Sequence, residues 1–142
     1  LRPVVLDQVG LSAGLETLVR DFNKKGGTFC GLHLDPLPEL QDAMRTDLFR
    51  IVQEALTNVQ RHAKANLAYV RLFASDGALR LEIGDDGQGM QVTEVATPAT
   101  SMGIGMIGMR ERVRNHRGEI HVQSTPGSGT AIEVTLPLSA PQ

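Results

Sequence analysis

The chain has 142 residues, of which 41% are hydrophobic and 21% are charged, and these are the proportions of one ordinary globular domain. The formal net charge of −2 gives no electrostatic reason to expect a nucleic acid or an anionic membrane as a partner. No apolar run is long enough to span a bilayer, and the single cysteine, Cys30, has no companion for an internal disulfide, which favours a reducing, cytoplasmic setting.

The first half of the chain is predicted to form a helix, a strand and a longer helix. Apolar residues at helical spacing predict a helix over residues 11–25, and Gly26 with Gly27 ends it. Residues 28–34 are β-prone and form a short predicted strand, in which we interpret Cys30 as a packed residue. Residues 41–64 give the strongest helix prediction. Its apolar face is formed by Leu48, Ile51, Val52, Ala55, Leu56 and Val59.

The second half is predicted to contain four strands and one helix. Strands over 68–74 and 78–85 are joined by a hairpin turn at Asp76-Gly77. Residues 88–101 show no period, which is typical of a functional lid or a disordered segment. A helix over 103–116 and strands over 119–124 and 130–136 follow.

This order predicts an α+β fold. Because consecutive strands are linked by hairpins, we expect a two-layer sandwich in which the helices pack on one face of a mixed, largely antiparallel sheet. A doubly wound fold would need strict alternation of strands and helices, and that alternation is absent.

Three polar residues share one stripe of the long helix. Glu54, Asn58 and Arg61 supply a candidate base, a neutral oxygen ligand for Mg²⁺ and a phosphate contact. The alternative is an ordinary solvated helix face. His62 lies toward the apolar face, and a partly buried neighbour is an alternative to a ligand role for it.

The predicted strand over 78–85 ends in Asp85-Asp86-Gly87-Gln88-Gly89. The carboxylate of Asp85 could accept a hydrogen bond from an exocyclic amine, and the glycines allow close approach of the backbone. The alternative is an acidic turn that simply ends a strand. The segment does not fit a Ca²⁺ loop, because its acidic positions do not repeat.

The glycine-rich stretch 103–108 superficially matches a dinucleotide-binding fingerprint. That fingerprint must directly follow a strand, and here an irregular segment precedes it, so a lid whose glycines let a helix N-terminus meet phosphates fits better. Met90, Met102, Met106 and Met109 flank this lid, where they could contact a purine or simply fill the core. Thr130, in the turn 127–130, is a hydroxyl candidate for recognising a base edge beside Asp85.

The four segments together resemble the motifs of the Bergerat ATP-binding fold shared by gyrase, Hsp90, histidine kinases and MutL. Residues 53–63 (QEALTNVQRHA) and 108–113 (GMRERV) are similar to the bacterial sensor histidine kinases of the nitrate-sensor and DesK-like group. The opening Leu-Arg-Pro also resembles the junction after the phosphoacceptor helices of that group.

The resemblance implies ATP and Mg²⁺ as cofactors, with Glu54 activating the attacking imidazole and Asn58 ligating the metal. Arg61 would contact phosphate, Asp85 would bind the adenine amino group and Thr130 would support that recognition. The implied ATP-binding positions are Asn58, Arg61, His62, Asp85, Gly87, Gly89, Met90, Gly103, Ile104, Gly105, Met106, Gly108, Met109 and Thr130.

In this group the phosphoacceptor histidine lies in a helical motif and precedes an acidic residue. The residues after the four histidines here are Leu34, Ala63, Arg117 and Val122, so we expect the acceptor on an upstream helical domain, which would also form the homodimer. We expect residues 1–10 to be a linker remnant, 11–138 the ATP-binding domain and 139–142 a tail. The domain alone should be monomeric, and a response regulator is the expected partner of the whole kinase, itself expected to be a membrane-bound bacterial sensor.

Two other interpretations stay open. One is a serine kinase of the same superfamily that acts as an anti-sigma factor, and the other is a nucleotide-binding scaffold that serves only as an interaction module.

Overall fold

The computed structural model describes the backbone of residues 4–88 and 101–138, and the side chains of residues 10–61, 64–88 and 106–138. The elements are α1 (Val4–Lys24), β1 (Phe29–Leu34), α2 (Asp42–Asn58), a π-helical turn (Val59–Ala63), β2 (Leu67–Ser75), β3 (Ala78–Asp85), α3 (Ser101–Arg114), β4 (Glu119–Thr125) and β5 (Gly129–Pro137). Among these described residues, no helix combines the length and the apolar character that crossing a membrane requires.

The five strands form one mixed sheet in the order β1-β2-β3-β5-β4. β1 and β2 are parallel, because α2 connects them as a crossover, and the other three pairs are antiparallel. The predicted α+β class with a largely antiparallel sheet is therefore confirmed.

The core lies between the helices and one face of the sheet. The registers Leu72–Leu81 and Leu81–Val134 align buried side chains across three strands, as the period-2 pattern predicts. Buried apolar residues of the helices join the same cluster, and they are Leu11, Leu15, Val19 and Phe22 of α1, Phe49 and the predicted apolar face on α2 and the π-helical turn, and Met109 and Val113 of α3. Cys30 is also buried, which raises the pKa of its thiol to about 11 and keeps it protonated at neutral pH.

All three helix predictions differ from the structure at one or both ends, and the third is shifted by two residues, from 103–116 to Ser101–Arg114. α1 begins at Val4, but Gly10 divides it with the non-helical angles φ 82° and ψ 171°, so that one helical segment precedes the kink and a second begins at residue 11, as predicted. α2 is α-helical only as far as Asn58, and the remaining predicted turns are replaced by the π-helical turn, which Lys64 ends with a left-handed φ of 51°. The expected lid falls largely on residues 89–100, outside the described residues, and no feature of the fold tests the proposed division at residues 10 and 138.

Candidate functional site

One end of the sheet collects several of the predicted site residues. Asp85 is the last residue of β3 and lies opposite Ala68 at the start of β2 and Thr130 at the start of β5. α2 and the π-helical turn also end here, because they lead directly into β2. The adjacency of β3 and β5, which are far apart in sequence, is what brings Asp85 and Thr130 together.

The carboxylate of Asp85 is held by the backbone around it. Its Oδ1 accepts a hydrogen bond from the N–H of Gly87 at 2.8 Å, and the N–H of Thr130 also donates to the carboxylate. Burial raises the pKa of Asp85 above its ordinary value, although these two donors oppose the shift. Asp85 is thus an oriented, partly desolvated acceptor, as recognition of an amino group would require.

The hydroxyl of Thr130 has a partner that the sequence patterns do not indicate. Its Oγ1 lies 2.8 Å from Oγ of Ser124, which is directly opposite in the β4–β5 register. Since a hydroxyl offers one donor and two acceptor positions, this contact leaves Thr130 with capacity for a further hydrogen bond. Ser124 could have been found only by knowing the register of the hairpin.

Gly129 is the point where β5 comes closest to the Asp85 backbone. Its φ is +92°, and an added Cβ would lie 2.0 Å from the carbonyl oxygen of Asp85. The glycine therefore permits the approach that places Thr130 beside Asp85.

Asp86, next to Asp85, has a structural role. Its Oδ1 accepts hydrogen bonds from the backbone N–H groups of Asn66 (2.9 Å) and Leu67 (3.0 Å), and these contacts lower the pKa of Asp86 below its ordinary value. The side chain thereby ties the end of β3 to the start of β2.

The hydrogen bonds accepted by Asp86 predict a contribution to the free energy of unfolding that depends on pH in the acidic range. Because its pKa is lower in the folded chain than in the unfolded chain, the contribution is complete above the unfolded value and is lost as the pH falls through the folded value. We expect Asp86→Asn to remove this part of the pH dependence of the free energy of unfolding, measured by urea denaturation between pH 2 and 7. An unchanged pH profile in Asp86→Asn would contradict this role.

Asn58 is the only buried polar or charged residue among the side chains that the structure describes, with 8% exposure. Its Nδ2 has no hydrogen-bond partner within the described part of the chain, and such an orphaned amide costs about 1–3 kcal/mol unless a ligand satisfies it. Glu54 lies one turn earlier on α2 and is half-buried.

Arg61 and His62 lie on the π-helical turn, beyond the end of α2. The side chain of Arg61 is exposed, and that of His62 falls outside the described residues. The predicted alignment of Arg61 with Glu54 and Asn58 assumes 100° per residue. A π-helix turns through a smaller angle per residue than an α-helix, so Arg61 does not follow that spacing. Single-turn π segments are frequent at functional sites.

The glycine-rich stretch lies within α3, which begins at Ser101. Met109 is 1% exposed and Met106 packs against the core, so core filling, which is one of the two roles considered for them, accounts for both. The backbone at Gly103, Ile104 and Gly105 is helical, and their side-chain surroundings are not described. The predicted Gly89 and Met90 also lie outside the described residues.

A second polar cluster joins α2 and α3 away from these residues. His116, in the turn after α3, lies with its Nε2 2.7 Å from Oδ2 of Asp47 on α2, and Arg112 approaches the other carboxylate oxygen. The sequence patterns do not reveal this cluster, because its members are 69 residues apart. The sequence does give a reason to consider Asp47, because it lies seven residues before Glu54 and so shares the same face of the helix, but it gives none to pair Asp47 with His116.

Known proteins resemble the chain in sequence over almost its whole length. The family described as histidine kinase-, DNA gyrase B- and HSP90-like ATPase matches residues 43–140. The sensor histidine kinase LiaS of Bacillus subtilis is 39% identical over 143 residues, covering 97% of this chain and 37% of that protein. The sensor protein VraS of Staphylococcus aureus is 36% identical over 144 residues, covering 98% of this chain and 39% of that protein. The chain thus spans little more than a third of the length of these relatives.

A solved structure agrees with the sequence comparison. The histidine kinase domain of the blue-light activated histidine kinase EL346 from Erythrobacter litoralis superposes with a TM-score of 0.76 at 25% identity, covering 90% of this chain and 61% of that one. The predicted resemblance is confirmed: the chain belongs to the histidine kinase-, DNA gyrase B- and HSP90-like ATPase family, as an ATPase domain of the bacterial sensor histidine kinase type.

Proposed function

We propose that this domain binds ATP with Mg²⁺ and supplies the γ-phosphoryl group to a histidine on an upstream helical domain of the same protein, for relay to a response regulator. The observation that carries the proposal is the convergence of Asp85, Thr130 and the C-terminal end of α2 at one end of the sheet. The names of the relatives, which are sensor histidine kinases, favour this function over that of an anti-sigma serine kinase.

The base of the nucleotide would bind at Asp85. Its carboxylate already accepts two backbone N–H groups and retains lone pairs for the adenine amino group. The Thr130 hydroxyl, close to Ser124, offers a second polar contact for the base edge or for a bridging water. Gly87 is buried beside Asp85 and fits the wall of such a site.

Mg²⁺ would bind at Asn58 together with the phosphates. Rotation of the Asn58 amide by 180° exchanges Oδ1 with the unpartnered Nδ2, so an oxygen ligand can occupy this buried position. Mg²⁺ usually takes few protein ligands and completes its octahedron with phosphate oxygens and waters. The described residues contain no group of three or more His, Cys, Asp or Glu side chains that could hold a metal ion, and a single amide ligand is compatible with this. The bound ion would neutralise phosphate charge during transfer.

The remaining residues would serve the transfer itself. Glu54, one turn before Asn58, would orient or deprotonate the attacking imidazole, while Arg61 and His62 on the π-helical turn would contact the nucleotide. The N-terminal end of α3, with Gly103, Gly105 and Gly108, would offer its backbone N–H groups to the phosphates. Phosphoryl transfer depends mainly on positioning and charge stabilisation, which this modest set can supply.

ATP binding and its metal dependence test the proposal directly. We expect wild type to bind ATP more tightly in Mg²⁺ than in EDTA, and Asn58→Ala to lose about tenfold or more of the affinity in Mg²⁺, the order lost with one metal-orienting contact. Affinity would be measured by isothermal titration calorimetry. The exposed Asn115, in the turn after α3, gives the matched control Asn115→Ala, which should bind like wild type. Normal Mg²⁺-dependent binding by Asn58→Ala would exclude Asn58 as the ligand.

The phosphotransfer step requires the whole protein. Incubation with γ-labelled ATP should give an acid-labile, base-stable phosphohistidine outside residues 1–142. An acid-stable phosphoserine on a second protein would instead favour the anti-sigma alternative. A whole protein that binds ATP but transfers no label, also in the presence of its sensed signal, would favour the interaction module.

A further inference from the structure

Three polar residues hold the C-terminal end of α3 on α2. The Nε2 of His116 donates to Oδ2 of Asp47 at 2.7 Å, and the two side chains are only 13% and 19% exposed. The Nε of Arg112 lies 3.8 Å from Oδ1 of the same carboxylate. Its NH1 group is 3.5 Å from the carbonyl oxygen of Gly108, so Arg112 also reaches the glycine-rich stretch.

The two helices joined by this cluster run in opposite directions. β4, which follows α3, begins at Glu119 opposite Thr135 of β5, and Thr135 is in turn opposite Arg80 of β3 and Phe73 of β2. Phe73 is near the end of β2, whereas α2 leads into its beginning. The C-terminal end of α3 therefore lies at the opposite end of the sheet from the C-terminal end of α2.

This arrangement links the cluster to the proposed phosphate end of the site. Glu54 lies seven residues beyond Asp47 along α2, and Gly105 lies seven residues before Arg112 along α3. At about 1.5 Å per residue, both are displaced by roughly 10 Å from the cluster in the same direction. The axial position of the cluster thus fixes how far the glycine-rich start of α3 extends beside Glu54 and Asn58.

Apolar packing alone would fix this position less firmly. The apolar side chains of α3 that contact the core are Met106, Met109 and Val113, and apolar contact is non-directional. A hydrogen bond to a partly buried carboxylate has a preferred distance and angle, so it resists a slide of α3 along α2.

We propose that Asp47, His116 and Arg112 form a positioning clamp that sets the register of the N-terminal end of α3 against the phosphates of bound ATP. This inference rests on the proposed function. The clamp contacts neither the base nor the phosphates itself, so its effect should appear in the affinity for the triphosphate and not in the affinity for the nucleoside.

The test compares ATP and adenosine binding in Mg²⁺ for wild type, His116→Ala, Asp47→Ala and the double variant. ATP affinity would be measured by calorimetry and adenosine affinity by NMR titration. We expect each alanine variant to lower the affinity for ATP about fivefold and to leave the affinity for adenosine unchanged. Because His116 and Asp47 act through one contact, the double variant should bind ATP as well as the poorer of the two single variants. His116→Gln, whose amide can donate to Asp47 from a similar position, should restore most of the ATP affinity.

A matched histidine control is available on β4. The side chain of His121 is 68% exposed and lies 3.7 Å from Glu119, so His121→Ala should bind both ligands like wild type. Unchanged ATP affinity in the clamp variants, or an equal loss of ATP and adenosine affinity, would overturn the inference. If His116→Ala or Asp47→Ala does not fold, the test compares His116→Gln with His116→Asn, whose shorter amide cannot reach Asp47. Wild-type ATP affinity in His116→Gln together with weaker ATP binding in His116→Asn upholds the inference. Equal ATP affinities of these two variants overturn it. A wild type that binds no ATP would instead refute the proposed function.

Discussion

Gly129→Ala is expected to destabilise the domain more than any other single methyl addition in the turn between β4 and β5. The added Cβ would lie 2.0 Å from the carbonyl oxygen of Asp85, 2.9 Å from its carbonyl carbon and 3.1 Å from Cα of Asp86. All three are backbone atoms, so no side-chain rotation relieves the clash. The φ of +92° is also unfavourable for alanine.

The expected loss is about 2 to 6 kcal/mol in the free energy of unfolding, because a strained backbone and an overpacked contact each cost about 1 to 3 kcal/mol. A domain of this size has only about 5 to 15 kcal/mol of stability in total, so part of the population should unfold. Urea denaturation monitored by circular dichroism measures the change.

Gly127 provides the matched control in the same turn. Its φ of +85° is equally unfavourable for alanine, but an added Cβ would meet no atom within 4 Å. Gly127→Ala should therefore cost only the backbone contribution, about 1 to 2 kcal/mol. Equal stabilities of the two variants would show that β5 can move away from Asp85 at little cost, and Gly129 would then have no special role in building the site.

The secondary structure and the fold class could be predicted because their signals are local. The alternation of Leu79, Leu81 and Ile83 with polar residues predicts a strand with one packed face, and these three side chains are buried as expected. The hairpin at Asp76-Gly77 is likewise present, with φ values of 53° and 76° at the two turn residues.

Pairings between distant strands could not be predicted from local patterns. β5 lies next to β3 although residues 86–128 separate them, and that neighbourhood creates the contact of Thr130 with Asp85. Which strand pairs with β5 depends on how the whole sheet packs against the helices, since each strand alone could pair with several others. The contact of Asp47 with His116 escapes sequence reasoning for the same reason.

The spacing rule for the polar stripe on α2 succeeded only where the helix stays regular. Asn58 is the last residue of α2, and Glu54 precedes it by one α-helical turn, so their alignment follows from the 3.6-residue period. Arg61 lies on the π-helical turn, which the sequence does not signal and which changes the angle per residue. The role of Arg61 is therefore less constrained by geometry than the roles of Glu54 and Asn58.

Asp85→Asn is expected to abolish most of the affinity for ATP without unfolding the domain. The carboxylate of Asp85 accepts hydrogen bonds from the backbone N–H groups of Gly87 and Thr130. The Nδ2 of an asparagine is a donor, and it must point either toward one of these N–H groups or toward the adenine amino group. In both arrangements a donor faces another donor, so one hydrogen bond is lost. Loss of a hydrogen bond to a charged group costs about 1.5 to 3 kcal/mol, which corresponds to roughly 10- to 150-fold in affinity.

Stability should respond much less than binding. Because burial raises the pKa of Asp85, the charged carboxylate is itself unfavourable in the folded chain at neutral pH, and this cost is relieved only as the pH falls through the raised value. The neutral asparagine avoids that cost and so offsets part of the hydrogen bonding that it loses. The melting temperature without ligand should therefore stay close to that of wild type.

The variant Asp86→Asn is the control that distinguishes a loss of base recognition from a general effect of removing one negative charge. Asp86→Asn removes the same charge one residue away, where the carboxylate accepts hydrogen bonds from the backbone of Asn66 and Leu67, and it should keep wild-type ATP affinity at pH 7. GTP gives a second readout, because its 6-oxo group accepts the hydrogen bond that the amide introduced by Asp85→Asn would donate, so the preference for ATP over GTP should narrow in that variant alone. An Asp85→Asn domain that binds ATP as tightly as wild type, with its preference over GTP intact, would place the adenine elsewhere and remove the chemical basis for the proposed site.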